Sequence, residues 1–183
     1  MEVIKQNSLT KIIKLFLIIL LGSVVLAISA KIKIPFYPVP MTMQTFVVLF
    51  LGISLGYKIG LATISLYLLE GILGLPVFSN SPERGIGLVY FTGPTMGYLI
   101  GFLSACFFTS YIKQDNNFFM ILLKLVLSVS TIYILGVLWL GNLIGWDKPL
   151  IELGVTPFLL AEIFKISLLA ILAKKIIKLR KFI

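Results

Sequence analysis

The stretch KLFLIILLGSVVLAISAK, residues 14–31, decides the class of the fold, because it places sixteen uncharged residues between two lysines. A long apolar run of this kind is typical of a membrane-spanning helix. A cleaved secretory signal is the alternative, since AISA at residues 27–30 resembles a small-residue cleavage site. The chain stays hydrophobic after this stretch, however, and cleavage would leave an odd number of spans, which conflicts with the distribution of cations. We therefore interpret residues 12–30 as the first span.

The whole chain has the composition of an integral membrane protein. Of its 183 residues, 59% are hydrophobic and 13% are charged, and the mean hydropathy is +1.09. Soluble domains are nearer to half apolar and a quarter charged. We expect an all-α integral membrane protein, with residues 1–183 forming a single six-transmembrane-helix bundle. The expected spans cover residues 12–30, 42–56, 59–74, 91–112, 118–142 and 156–174.

The cations are distributed unevenly between the two sides of such a bundle. With six spans, eleven lie on the side of the two termini, namely Lys5, Lys11, Lys14, Lys58, Lys113, Lys124, Lys174, Lys175, Lys178, Arg180 and Lys181. Four lie on the other side, namely Lys31, Lys33, Arg84 and Lys148. The positive-inside rule then places the N and C termini in the cytoplasm. Because the cations bracket apolar runs, we expect them to contact membrane lipid and not nucleic acid.

Small residues recur at four-residue spacing in the predicted helices. They form three sets: Gly52, Gly56 and Gly60; Gly93, Gly97 and Gly101; and Ser23 and Ala27. Small residues four apart let helix backbones approach closely, and helices in lipid need this contact because hydrophobicity alone does not pair them. We favour internal packing, and a docking groove for the helices of a partner is the alternative.

Two ionisable residues, Glu162 and Lys165, lie inside the sixth predicted span. Their spacing of three places both on one helix face, and each charge costs about 2.5–3.5 kcal/mol to insert into a bilayer. They form either a structural pair that neutralises itself or part of a functional site. Further polar residues are expected at the same outer end of the bundle: Gln44, Glu70, Asn80 and Arg84. The sequence therefore predicts an outward-facing pocket, apolar with a few polar groups.

Enzyme chemistry is not expected from this chain. It contains no histidine and a single cysteine, Cys106, which excludes thiol–imidazole pairs and metal sites built from histidine and cysteine. The GxxxxGK[ST] pattern of a P-loop is absent from the sequence, so we predict that any ATP-driven transport depends on a partner subunit.

Four segments of the chain resemble one known family. They are PVPMTMQTFVVLFLG (38–52), EGILGLPVFSNSPERGIG (70–87), YFTGPTMGYLIGF (90–102) and GVTPFLLAEIFK (154–165). They resemble the biotin-specific S components of energy-coupling factor (ECF) transporters, the BioY family, over residues 20 to 175 or so. The chain departs from the family pattern at Glu162, where an aspartate is usual, and at Met96, where a glycine is usual.

The resemblance implies a six-helix S-component fold in the bacterial cytoplasmic membrane, which captures biotin from outside. It implies as partners a transmembrane coupling protein and two cytoplasmic ATPase subunits, or a homo-oligomer if the protein works alone. It implies no cofactor, since biotin is the ligand. The implied site consists of Gln44, Asn80, Arg84, Glu162 and Lys165, and the residue types of Tyr90, Phe78 and Phe36 suit apolar walls beside it. Ser23 and Ala27 are the implied docking face for the coupling protein.

The chemistry of biotin suits these residue types. A carboxylate such as Glu162 accepts from the ureido N–H groups, and the amides of Gln44 and Asn80 suit either ureido function. Lys165 or Arg84 suits the carboxylate of the tail. Two alternatives remain open, namely an S component for another vitamin, such as thiamin or riboflavin, and a small channel or structural membrane protein.

Overall fold

The structure, a computed structural model, describes residues 2–35 and 37–182, with side chains from residue 9 onward. Phe36, predicted as a wall of the site, lies outside the described residues. The helices are α1 (Glu2–Lys31), α2 (Gln44–Ile72), α3 (Leu88–Phe91), α4 (Met96–Thr109), α5 (Phe118–Ile144), α6 (Leu150–Gly154) and α7 (Leu159–Ile176). Short 3-10 segments cover Thr156–Phe158 and Ile177–Phe182. Two-residue strands, β1 (Lys33–Ile34) and β2 (Met41–Thr42), pair antiparallel between α1 and α2.

Helices of this all-α fold are apolar enough to cross a membrane. Four segments have the necessary length, namely Leu9–Lys31, Gln44–Ile72, Phe118–Ile144 and Leu150–Phe182, and Met96–Thr109 is a shorter apolar helix. Large apolar side chains face outward along α1, including Phe16, Leu21 and Ile28. Exposed apolar faces of this extent are typical of a lipid-facing surface, which agrees with a membrane protein.

The chain reverses direction in the middle of α2. The backbone of Gly56 is non-helical, with φ +73° and ψ 177°, a region that is open essentially to glycine. The Gln44 side-chain nitrogen donates a 2.7 Å hydrogen bond to the Tyr67 hydroxyl, 23 residues later. A continuous helix would separate these residues by about 34 Å. α2 is therefore a hairpin of two antiparallel arms, which we call α2a (44–55) and α2b (57–72).

The observed helix bounds differ from the predicted spans at several points. The arms of α2 correspond to the segments 42–56 and 59–74, which were predicted as separate helices. The single segment predicted at 91–112 is divided into α3 and α4, because Gly93 and Pro94 interrupt the helix. α1 begins at Glu2, well before residue 12, and α7 begins at Leu159, after the 3-10 turn that contains Pro157.

Four of the six regularly spaced glycines lie where helices touch, namely Gly52, Gly60, Gly97 and Gly101. A Cβ on Gly52 would lie 2.6 Å from the carbonyl oxygen of Cys106, and one on Gly60 would lie 2.7 Å from the Cys106 sulfur. These contacts join both arms of α2 to α4. A Cβ on Gly101 would lie 2.6 Å from the Cα of Ile132, so α4 and α5 are equally close. The internal-packing interpretation is confirmed for Gly52, Gly60 and Gly101, whereas a Cβ on Gly56 would meet nothing within 4 Å, because this glycine forms the turn.

The last segment of the chain is fastened to the end of the bundle that contains the Gly56 turn. Arg180 donates to the carbonyl oxygens of Ile53 at 2.7 Å, Gly52 at 3.1 Å and Ser110 at 2.8 Å. These carbonyls belong to the C-terminal ends of α2a and α4, which lack helical N–H partners and carry partial negative charge. One guanidinium therefore caps two helices.

The small-residue face of α1 is partly occupied within the protein. Ser23 is fully buried and its hydroxyl donates to the Glu70 carboxylate on α2b. Ala27 is half-buried and packs against the core. The predicted docking role of Ser23 and Ala27 stays a prediction, and Ser23 already has a partner inside the protein.

Candidate functional site

A cavity of about 50 Å³ lies at the end of the bundle remote from Gly56, where α2a begins. α2a, α4, α5 and α7 contribute to its wall, together with the segment that precedes α2. Its aromatic and polar lining residues are Thr42, Gln44, Thr45, Ser79, Tyr90, Thr95, Tyr98, Phe102, Tyr133, Phe158 and Glu162. The remaining lining residues are apolar, as is usual in sites for organic ligands.

Glu162 presents one bonded and one unbonded oxygen in this cavity. It lies in the first turn of α7, where a negative charge is favourable, and is 4% exposed. Its Oε1 accepts from the Thr45 hydroxyl at 2.7 Å and from Lys165 Nζ at 2.8 Å. Its Oε2 is buried and has no hydrogen-bond partner among the described residues. A buried carboxylate oxygen without a partner is costly, so this atom is suited to a donor on a ligand.

Lys165 stands behind the cavity wall and not in it. Its Nζ donates to Glu162 Oε1, to the Thr42 carbonyl oxygen at 2.7 Å and to the Thr45 hydroxyl at 2.8 Å. An ammonium group has three N–H donors, so the protein uses all of them. Lys165 thereby fixes the Glu162 carboxylate and ties α7 to the start of α2a.

Ser79 carries the second unbonded polar atom of the cavity. It is 3% exposed, and its hydroxyl oxygen has no hydrogen-bond partner among the described residues. The backbone around it is held from two sides. The Tyr90 hydroxyl donates to the Ser79 carbonyl oxygen, and Lys31 Nζ donates to the carbonyl oxygens of Phe78 and Ser81, both at 2.9 Å.

Gln44 lines the cavity at the first turn of α2a. Besides donating to Tyr67, it accepts from the Thr42 hydroxyl through its Oε1 at 3.2 Å. A carboxamide has two N–H donors, so the contact with Tyr67 leaves one N–H of Gln44 for another acceptor.

Aromatic rings form a further part of the wall. Tyr98 on α4 donates through its hydroxyl to the Gly154 carbonyl oxygen at 2.9 Å. Tyr133 on α5 lies beside Glu162, and its ring stacks on Phe158 with 6.1 Å between centroids. Both tyrosines were missed in the sequence. A signal was present, since each is a polar-tipped aromatic residue inside an apolar helix.

The structure brings three of the predicted site residues together in the cavity wall, namely Gln44, Tyr90 and Glu162. Asn80 lies outside it, because its backbone has a φ of +59° and its side-chain oxygen accepts from Lys33. Lys165 lies behind the wall. The ligand contacts predicted for these residues and for Arg84 stay predictions.

Arg84 is exposed at the outer surface of the same end of the bundle. Its Nη1 donates to the Pro38 carbonyl oxygen at 2.6 Å, and its guanidinium carbon lies 5.8 Å from the centre of the Tyr37 ring. Arg84 also lines a surface cleft with Tyr90 and Thr95, and these two residues line the cavity as well. The cleft and the cavity therefore share a wall.

The wider relationships of the chain agree with this architecture. The profile of the BioY family matches residues 4–182. The chain is 34% identical to the biotin transporter BioY of Thermotoga maritima, over 84% of this chain and 90% of that protein. It is 33% identical to the probable biotin transporter BioY of Pyrococcus horikoshii, over 82% and 88% of the two chains. It is also 33% identical to the biotin transporter BioY2 of Lactococcus lactis, over 92% of each chain.

A solved structure shares the fold. It is the crystal structure of the S-component for biotin from an ECF-type ABC transporter, which matches with a TM-score of 0.75 and 23% identity over 92% of this chain and 93% of that one. The helical arrangement is thus that of an S component. With the family profile matching nearly the whole chain, the protein belongs to the BioY family.

Proposed function

We propose that the protein is the substrate-binding membrane subunit of a biotin importer, which captures biotin in the cavity beside Glu162. The observation that carries this proposal is the pair of buried polar atoms, Glu162 Oε2 and Ser79 Oγ, which have no hydrogen-bond partner among the described residues and lie in a mainly apolar and aromatic cavity. The biotin transporters among the relatives support the choice of ligand.

The Glu162 carboxylate suits the ureido head of biotin. The Glu162 carboxylate forms an ion pair with the ammonium of Lys165, and a carboxylate can only accept hydrogen bonds. The ureido N–H groups are donors and carry no charge, so the ion pair stays balanced when the ligand binds. The spare N–H of Gln44 is available to a ligand acceptor, and the rings of Tyr98 and Tyr133 cover apolar surface.

Biotin requires a wider site than the 50 Å³ cavity, because sites for organic ligands commonly enclose about 300–1,000 Å³. Two contacts join the segments over the cavity, from Arg84 to Pro38 and from Lys33 to Asn80. We propose that these contacts open to admit the vitamin. Arg84 can then meet the tail carboxylate, because its cleft adjoins the cavity along Tyr90.

We further propose that the single domain crosses the bacterial cytoplasmic membrane six times, through α1, α2a, α2b, α4, α5 and α7. Both termini then lie in the cytoplasm. The contacts of Arg180 support this topology, because they bring the C-terminal segment to the end that contains Gly56 and Lys58. That end also contains the turn after α4, so most of the lysines are gathered there.

Transport energy is proposed to come from a transmembrane coupling protein and two cytoplasmic ATPase subunits, and a homo-oligomer is the alternative for a solitary protein. We propose no enzymatic role. Ala27 and Ser23 remain the proposed docking positions on α1. An Ala27→Trp variant should bind biotin normally and lose co-purification with the coupling module.

The decisive experiment is isothermal titration of the protein in detergent, after purification from biotin-depleted cells. We expect one biotin per chain, and an affinity at least tenfold weaker in Glu162→Gln. The matched control is Glu152→Gln, an exposed carboxylate on α6, which should bind as the wild type does. Absence of biotin binding by the wild type would contradict the proposal.

A second candidate ligand is suggested by the aromatic rings around the unpartnered Glu162 oxygen. Aromatic faces beside a carboxylate also suit an organic cation, such as the thiazolium ring of thiamin. The Lys165 ammonium makes a cationic ligand less suitable, because it already neutralises the charge of the Glu162 carboxylate. Titration with thiamin and riboflavin separates the cases, and a channel would retain none of the three vitamins.

A further inference from the structure

We propose that Ser79 is a specificity-determining contact, whose hydroxyl donates to the ureido oxygen of biotin while Glu162 accepts from a ureido N–H. This inference rests on the proposed function and deepens it. It differs from the prediction made from the sequence, in which the neighbouring Asn80 was the contact from this loop.

Three of the hydroxyl groups that line the cavity donate their protons to other groups of the protein. Thr45 donates to Glu162, Tyr90 to the Ser79 carbonyl oxygen and Tyr98 to the Gly154 carbonyl oxygen. The hydroxyl of Ser79 differs from these, because it is buried and has no partner among the described residues. Its proton is therefore free to meet a ligand acceptor without the loss of a protein hydrogen bond.

The ureido group needs a contact of this type. It presents N–H donors along its edge and a carbonyl acceptor at its end. The Glu162 carboxylate can accept from a ureido N–H. It has no proton to donate to the ureido oxygen. A buried ligand carbonyl without a donor would lose affinity, because it exchanges hydrogen bonds with water for none. Ser79 and Glu162 supply complementary donor and acceptor groups in one cavity.

The surrounding contacts keep Ser79 in place. Lys31 fixes the carbonyl oxygens on both sides of it, at Phe78 and Ser81. Tyr90 is committed to the Ser79 backbone, so we assign it to positioning this residue as well as to the wall. The Asn80 side chain accepts a hydrogen bond from Lys33, and the Asn80 backbone has a left-handed conformation. This arrangement leaves Ser79 at the cavity.

The test compares two buried serines of the same loop. Ser79→Ala should weaken biotin binding about tenfold, while the melting temperature of the ligand-free protein stays equal or rises, because an unpartnered buried hydroxyl is removed. Ser81→Ala is the matched control, since the Ser81 hydroxyl donates to the Gly85 carbonyl oxygen at 3.0 Å. It should lower the melting temperature and leave the affinity nearly unchanged.

A change in the ligand separates a direct contact from an indirect effect. The biotin analogue with sulfur in place of the ureido oxygen keeps both N–H donors and is a poorer acceptor. It should bind the wild type about tenfold more weakly than biotin, and Ser79→Ala should bind the two ligands almost equally. If wild type and Ser79→Ala discriminate between them to the same extent, the inference is wrong while the biotin function stands. If the wild type does not bind biotin, the proposed function itself fails.

Discussion

Lys165 Nζ lies 2.8 Å from Oε1 of Glu162, and the two side chains are only 5% and 6% exposed. The ammonium thereby holds one oxygen of the carboxylate, while the other, at the cavity, has no hydrogen-bond partner in the part of the chain that the structure describes. A structural role and a binding role are thus not exclusive alternatives for this pair. In the proposed site, Lys165 serves the first role and Glu162 serves both.

Replacement of the whole pair tests this division of roles. The double variant Glu162→Leu/Lys165→Met should fold, because apolar residues can replace a buried ion pair at little cost. It should lose about a hundredfold in biotin affinity, the order expected for a charge-assisted hydrogen bond. Lys165→Met alone should melt below the double variant, since it leaves an uncompensated buried carboxylate. Near-normal titration of a stable double variant would move the site away from Glu162.

The contact between Gly60 and Cys106 can be tested by compensation. Gly60→Ala should lower the melting temperature, because its Cβ would lie 2.7 Å from the Cys106 sulfur. In a Cys106→Ala background the sulfur is gone, so the same substitution should cost much less. Equal losses of melting temperature in the two backgrounds would show that α2b and α4 do not approach at this point.

Arg180 should contribute more to stability than its basic neighbours. Arg180→Ala removes three hydrogen bonds to carbonyl oxygens and should cost about 2–3 kcal/mol of unfolding free energy. Lys181→Ala, an exposed cation next to it, should change stability by less than about 0.5 kcal/mol. Denaturation in detergent monitored by tryptophan fluorescence measures both. Equal stability of the two variants would contradict the capping role.

The proposed topology is tested with single cysteines in a Cys106→Ala background. Glu83 and Asp115 are both exposed and belong to loops at opposite ends of the bundle. A membrane-impermeant thiol reagent should label Glu83→Cys in intact cells and Asp115→Cys only after lysis. The reverse pattern would invert the orientation, and labelling of both in intact cells would contradict the even number of crossings.

The sequence allowed the helical class and part of the site to be predicted, because the relevant signals are local. A carboxylate in an apolar helix is costly wherever it points, so Glu162 was recognisable without a structure. The turn after Leu55 was likewise recognisable, since Gly56 is followed by exposed polar positions, including Lys58.

The rest depends on contacts between distant parts of the chain. Lys165 was predicted as a ligand contact, yet two of its acceptors belong to Thr42 and Thr45, more than a hundred residues away. Ser79 was overlooked because a serine in a polar loop is usually solvated. Only the folded loop shows that Lys31 and Tyr90 bury it at the cavity.

The turn at Gly56 also matters during synthesis. Residues 44–72 emerge as 29 residues, within which an 18-residue window reaches a mean hydropathy of 1.9, and this length and hydropathy are enough for a single helix across the bilayer. If that helix formed without interruption, the chain would leave on the opposite face and every later helix would insert upside down. In the proposed six-span topology, the reversal returns the chain to the face from which it entered. The direction of the remaining two-thirds of the protein would then depend on the conformation of one residue that has no side chain.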